Sequence, residues 1–259
     1  MACGAKNFRV GTGAVRWLSL RVTGAFLNAI TILLGGLFGL ARWPLSARTE
    51  DFFRRALGAA AVFSGLRLVW LGVNGTFSSC LKQIFITLLA VTLGSWTGRL
   101  LQLQKISNRL GHHASRLIAA AGSAASRPGD GFIACTILFC AAPLGWLGAV
   151  TDGLSGNFYL LAVKAVMDGL ATASFVKILG WPTALAAFPV YAFLGALTLS
   201  SQVWARPLLD SHGLTDAVSV TGGFVACVLA LVIFEVRKVE LANFLPALAF
   251  APLLTWWFR

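Results

Sequence analysis

Charge is what this chain has least of. Charged residues make up 12% of the 259, against about 25% in an ordinary soluble domain. Hydrophobic residues reach 58%, with a mean hydropathy of +0.80, where soluble domains sit near 45–50% apolar. That shortage excludes a conventional solvated domain. Histidine is scarce too: His112 and His113 stand side by side and His212 lies far away. Neighbouring residues point different ways on a helix, so the pair is a poor metal set, and no HExxH or Ser/His/Asp pattern occurs. Neither an enzyme nor a bound cofactor is expected. The five cysteines (Cys3, Cys80, Cys135, Cys140 and Cys227) show no CxxC spacing. The last three fall in apolar runs and read as small core residues rather than as a disulfide framework or metal set.

Long uncharged runs are what the chain has instead. Residues 22–41 form a run of 20, 131–151 one of 21, 178–205 one of 28, and 217–234 and 241–258 runs of 18 each. A helix needs around 20 such residues to cross about 30 Å of hydrocarbon. The expected fold is therefore all-α, a polytopic transmembrane helix bundle of seven to eight spans. Their expected positions are 23–41, 56–73, 83–98, 131–150, 157–178, 182–202, 217–235 and 240–258, one integral membrane domain over 23–259 behind a basic tail at 1–22. The tail carries Lys6, Arg9, Arg16 and Arg21. The run that follows is too long for a signal-peptide core and ends in Arg42-Trp43-Pro44, so it reads as a retained first helix. The third span is short and extends into Lys82 and Arg99, which can snorkel, as can Arg67 inside the second.

A net charge of +12 would suit nucleic acid if the basic residues shared one face of a soluble domain. Here they lie between spans, so the expected partner is the lipid bilayer and no nucleic acid. Segments 42–55, 99–130, 177–181 and 236–239 hold 12 Lys and Arg, and the alternating set, ends included, holds 7. Cytoplasmic loops are the basic ones, which places the first set inside and both ends outside. Within 99–118, Leu103, Ile106, Leu110, Ala114 and Leu117 recur at helical spacing beside Lys105, Arg109 and Arg116. This predicts an amphipathic helix in the headgroup layer or docked on the bundle. Residues 119–130 read as a flexible link. Trp43, Trp181, Trp204, Trp256 and Trp257 sit near span ends, as interfacial belts do.

Asp168 lies one turn after Lys164 inside the fifth span. A charge at bilayer depth costs about 2.5–3.5 kcal/mol on insertion scales, so such residues face a bundle interior and mark solute or proton routes. Four residues apart, the two share a helix face and neutralise each other. Pro143 falls mid-way along the fourth span and breaks or kinks it, freeing carbonyls that protein or water must satisfy. Asp152, followed by Gly153, closes that span, where turn and cap chemistry is the plainer role. Asn28 and Asn243 sit in the first and last spans, with bonds across helices as their default task. Gly35-x-x-x-Gly39 and Gly94-x-x-x-Gly98 permit close helix approach, within the chain or between copies in a homo-oligomer. Residues 56–66 (ALGAAAVFSGL) and 220–230 (VTGGFVACVLA) share the texture of a diverged repeat.

Phe132, Leu138-Phe139-Cys140, Pro143, Gly148-Ala149, Asp152-Gly153-Leu154, Gly156, Lys164 and Asp168-Gly169 together resemble the central motif of the YqgA/YdfK-like family of bacterial inner-membrane proteins. Gly24, Asn28-Ala29-Ile30 and Gly35-Gly36-Leu37-Phe38-Gly39 resemble its opening helix, and Asn243-Phe244-Leu245-Pro246-Ala247-Leu248 its closing one. The likeness covers about residues 23–255; the basic tail departs from it. It implies a multi-pass protein of the bacterial inner membrane and supplies no ligand, so no functional residue is carried over. The residues themselves favour a transporter or permease for a small solute or ion, with Lys164, Asp168, Asp152, Pro143, Asn28 and Asn243 as candidates. The other reading is a structural or regulatory membrane protein that assembles with partners or lipid.

Overall fold

A computed structural model describes residues 22–41, 47–73, 75–121, 129–237 and 239–258. Among them there is no strand. Helices α1 (Thr23–Leu40), α2 (Ala47–Gly72) and α3 (Phe77–Leu100) lead to α4 (Leu103–Ala121). Helices α5 (Asp130–Ala141) and α6 (Pro143–Ser155) form a bent pair followed by α7 (Tyr159–Leu179). A 3₁₀ turn at Trp181–Ala186 runs into α8 (Ala187–Ser200), a π turn at Ser201–Ala205 and α9 (Arg206–Ser211). The last segments are α10 (Thr215–Ile233), a 3₁₀ turn at Leu241–Phe244 and α11 (Ala247–Trp257).

The distribution of side chains is inside-out for water. Lys164, Asn28, Thr87 and Thr172 are fully or almost fully buried, while Leu37, Phe63, Phe188 and Leu253 face outward. Such a surface is stable only against hydrocarbon, and this is a membrane protein. Trp204, Trp256 and Trp257 are exposed at one set of span ends and Trp181 at the other, in keeping with aromatic belts. Trp43 and the tail at 1–21 lie outside the described residues, as do residues 122–128 of the expected link.

Three glycine-lined seams hold the bundle together. A Cβ on Gly35 would lie 2.1 Å from the Gly169 carbonyl oxygen, and one on Gly39 would lie 2.6 Å from that of Ala173, so α1 lies backbone-to-backbone along α7. On the second seam the approach is reciprocal: a Cβ on Gly65 would meet the Gly223 oxygen at 2.7 Å, and one on Gly223 the Gly65 oxygen at 2.6 Å. On the third, Gly94 abuts Ala247 and Gly98 abuts Asn243. Both small-residue motifs are thus consumed inside the chain. The order of these pairings makes α1 and α7 parallel, α2 and α10 antiparallel, and α3 and α11 antiparallel. Eight segments that alternate in direction require this pattern. Val22 and Phe258 consequently share one face of the bundle, the terminal face, where the Lys82 ammonium donates to the Phe258 carbonyl at 2.6 Å. Helix α4 lies at the opposite face.

Six helices are long and apolar enough to cross a membrane, and the α5–α6 pair makes a seventh if taken as one span. The eighth expected span, at 240–258, is the short one: Leu241–Trp257 falls below crossing length, because Pro246 parts the 3₁₀ turn from an α11 of 11 residues. The third reaches past Lys82 and Arg99 as anticipated. The amphipathic helix starts at Leu103 rather than at 99, since α3 continues to Leu100 and Gln102 turns the corner at φ 52°.

Candidate functional site

The fifth segment buries the two charged residues of its middle. Lys164 is 1% exposed and Asp168 7%. The Lys164 ammonium donates to Asp168 Oδ2, and Asn28 Nδ2 donates to the same oxygen from α1 at 3.0 Å. The ammonium also stands 5.7 Å from the centroid of the Phe139 ring, a cation–π partner from α5. Its stem needs the space beside Gly145, where a Cβ would come within 2.8 Å of Lys164 Cε. Burying two ions is tolerable only when each gains compensating partners. Asn28, Phe139 and the glycine notch supply them.

The broken fourth segment adjoins this pair. Residues before proline avoid the α region, and Ala142 is accordingly extended at ψ 122°, so α5 and α6 meet at 58°. Pro143, Lys164, Asp168 and Ser174 line a cavity of about 630 Å³ that extends toward the α4 face. There Arg54 and Glu235 also line it, joined by a 2.8 Å ion pair between α2 and the end of α10. Glu235 adopts φ 57°, an uncommon left-handed backbone for a side chain of this kind. Toward the terminal face the path is blocked by packed apolar side chains, among them Leu144, Leu147, Leu160, Val163 and Val225. Pro143 also borders a second, apolar hollow of about 610 Å³ beneath α4, lined by Ile106, Leu110, Thr136, Trp146 and Phe193.

Four of the six sequence candidates therefore come together: Asn28, Lys164 and Asp168 in one hydrogen-bonded cluster, with Pro143 in the same cavity wall. Asp152 does not join them. It is buried at the terminal face, where its Oδ2 accepts the Gly24 N–H at 3.3 Å and ties the end of α6 to the start of α1. Asn243 stands apart as well, in the 3₁₀ turn rather than within a span. Its Oδ1 accepts the Gln104 N–H at 3.2 Å, its Nδ2 donates to Glu240 at 2.7 Å, and Gln104 Oε1 accepts the Ala242 N–H at 3.1 Å. This clasp fixes the start of α4. Arg67 reaches to the Tyr159 ring, 4.6 Å from its centroid, as a snorkelling residue would.

Sequence reasoning did not identify the cavity residues Arg54 and Glu235, or Phe139 and Gly145 as the companions of Lys164. Arg54 falls within the basic segment 42–55 and Glu235 ends the seventh expected span, and nothing local signals that they meet. Phe139 and Gly145 do lie in the stretch around Pro143 that carries the central motif.

A family model described as "Protein of unknown function (DUF554)" matches residues 23–256. The chain is 22% identical over 232 residues to "Uncharacterized membrane protein YdfK" of Bacillus subtilis, covering 89% of this chain and 94% of that one. It is 28% identical over 243 residues to "Uncharacterized protein YqgA" of Escherichia coli, covering 91% and 97%. No solved structure matches it.

Proposed function

We propose that this chain, which belongs to the DUF554 family, is a permease of the bacterial inner membrane that moves a small solute or ion through the cavity at Lys164 and Asp168. The observation that carries this reading is a buried acid and base lining a cavity beside an interrupted helix. Transporters place ligands at such interruptions, where backbone groups are freed at membrane depth. A solute that engages Asp168, or a proton that neutralises it, separates it from Lys164 and gives the cavity two charge states. With the basic loops inside, the cavity faces the cytoplasm.

Proteoliposomes loaded with a pH-sensitive dye test it. Under an imposed membrane potential, dye response and uptake of labelled alkali cations, halides and amino acids are measured for the native chain and Asp168→Asn. Flux above empty liposomes that falls with Asp168→Asn supports the reading. Native flux at the empty-liposome baseline for every probe overturns it, and full flux in Asp168→Asn removes that residue from the route.

The structural or regulatory alternative draws on α4. Lys105, Arg109 and Arg116 are exposed, and none makes an ion pair among the described residues. A helix of this kind suits anionic lipid.

A further inference from the structure

The geometry points to a second, closed half of the route at the terminal face, related to the open cavity by an inverted internal repeat. This inference rests on the reading of the cavity as a solute route. The two small-residue, glycine-rich stretches at 56–66 and 220–230, identical in this register at one position, are separated by 164 residues. The same shift carries the first residue of α1, Thr23, onto the first residue of α8, Ala187. It carries the first residue of α3, Phe77, onto Leu241, where the final segment begins. It carries α2 onto α10 and puts Gly58 in register with Gly222. Helices α1, α2 and α3 therefore correspond in order to α8, α10 and α11. The seams run α2 against α10 and α3 against α11, and the alternation of segments sets α8 against α1, so each helix of one set runs opposite to its counterpart.

The antiparallel α2–α10 seam, with Gly58 against Phe234, Gly65 against Gly223 and Gly72 against Val220, is the arrangement that a two-fold axis lying in the membrane plane would produce between α2 and α10. Inverted repeats of this kind, with the site at their interface, are how many transporters build two alternating openings. The correspondence also says where the second opening lies. The cavity residues Arg54 and Leu57 of α2 map onto Val218 and Thr221 of α10, and the cavity residue Val232 maps onto Leu68 of α2. Along α10, Thr221 is 14 residues from Glu235, about 20 Å at 1.5 Å per residue. The two regions thus stand at opposite ends of the same bundle.

In this structure the mapped region is shut: Thr221 and Leu68 are 0% exposed and Val218 3%. Its polar atoms are poorly served for so dry a place. Among the described residues Thr221 Oγ1 has no hydrogen-bond partner, and neither has Nδ2 of the buried Asn157 at the entry to α7. A buried polar group without a partner carries a desolvation cost that calls for an explanation. Hydration in a second conformation, with the terminal face open and the α4 face closed, is the explanation that the repeat supplies. The bundle offers a dividing line for such a motion. The α2–α10 and α3–α11 seams form one body, and α7 with α1, α5, α6 and α8 forms the other. The cavity lies between α2 and α10 on one side and α7 on the other.

Maleimide labelling in membrane vesicles tests this without reference to flux. In a background with the native cysteines replaced by serine, Thr221→Cys is expected to label slowly from the terminal face and Ser174→Cys rapidly from the α4 face. A short bis-maleimide bridging Arg54→Cys and Ser174→Cys draws the open walls together. It should raise labelling of a third cysteine, which requires a probe at Thr221 that reacts after the bridge is formed. A minor state populated at 10% or less implies an acceleration of about tenfold or more. Unchanged labelling of Thr221→Cys after bridging overturns the inference. Should the cysteine variants fail to fold, hydrogen–deuterium exchange of the unaltered chain in nanodiscs decides. Faster exchange at 217–223 than at the packed 225–231 supports a terminal opening, and equal protection of the two overturns it. Static labelling with flux intact would describe a fixed pore, whereas reciprocal labelling without flux would leave two states and remove only the transport reading.

Discussion

The two ion pairs along the cavity differ in nearly every respect. At the α4 face, Arg54 and Glu235 have side chains 44% and 68% exposed, whereas those of Lys164 and Asp168 are 2% and 9% exposed. The outer pair bridges two helices far apart in sequence and rests on a left-handed backbone at Glu235. The inner pair sits on one helix and is enclosed by Asn28, Phe139 and Gly145. Exposed pairs contribute about 0–1 kcal/mol, because solvent competes for both partners and two long side chains must be ordered. A buried pair is weak evidence of stability, yet breaking it is severe, since the partner left behind remains an uncompensated charge. The outer pair is thus free to open and close at little cost. The inner one has to be exchanged against something else that carries charge.

The comparison breaks most visibly at Lys164. Lys164→Met leaves Asp168 alone and should destabilise the protein by about 3–5 kcal/mol, read from thermal unfolding in detergent. Adding Asp168→Leu should restore stability to about the parent level or above. A double variant as unstable as the single one would show that the charge left behind is not the cause. Next comes the seam that brings Asn28 to the pair: Gly35→Ala forces a methyl into the Gly169 carbonyl and should cost about 1–3 kcal/mol. Gly111→Ala on α4, where a Cβ meets nothing within 4 Å, should instead be neutral or gain about 0.5–1 kcal/mol. Asn243→Ala removes the acceptor at the start of α4 and should cost about 1–2 kcal/mol, with faster tryptic cleavage at Lys105 and Arg109. The smallest effect belongs to Arg54→Gln, less than about 1 kcal/mol. A larger loss would mean that the outer pair acts as a structural lock.

The inner pair was legible because both charges lie on one helix, four residues apart, in a run where charge is expensive. Its third member was only half legible. Asn28 stands out as polar in an apolar span, but its bond spans 140 positions, and local periodicity cannot encode that. The same holds for Gly35 and Gly39: their spacing announces a close approach, while the partner surface at Gly169 and Ala173 comes from tertiary packing. Pro143 announces its break locally because the restriction acts on the adjacent peptide. Asp152 and Asn243 look alike in sequence, polar residues next to apolar runs. Their work is to hold helix starts together, and only the neighbouring backbones reveal it. The short eighth segment follows from Pro246, whose effect the long uncharged run conceals.

The junction at Ala142 and Pro143 has already given up the backbone bonds that would stiffen a continuous rod. Turning α5 against α6 alters a few torsions there and ruptures no rung of either ladder. One end of this segment can therefore swing with α4 and the headgroup layer while the other stays moored to α1 through Asp152. Pro143 borders both hollows, so a turn at this peptide link reshapes the two together.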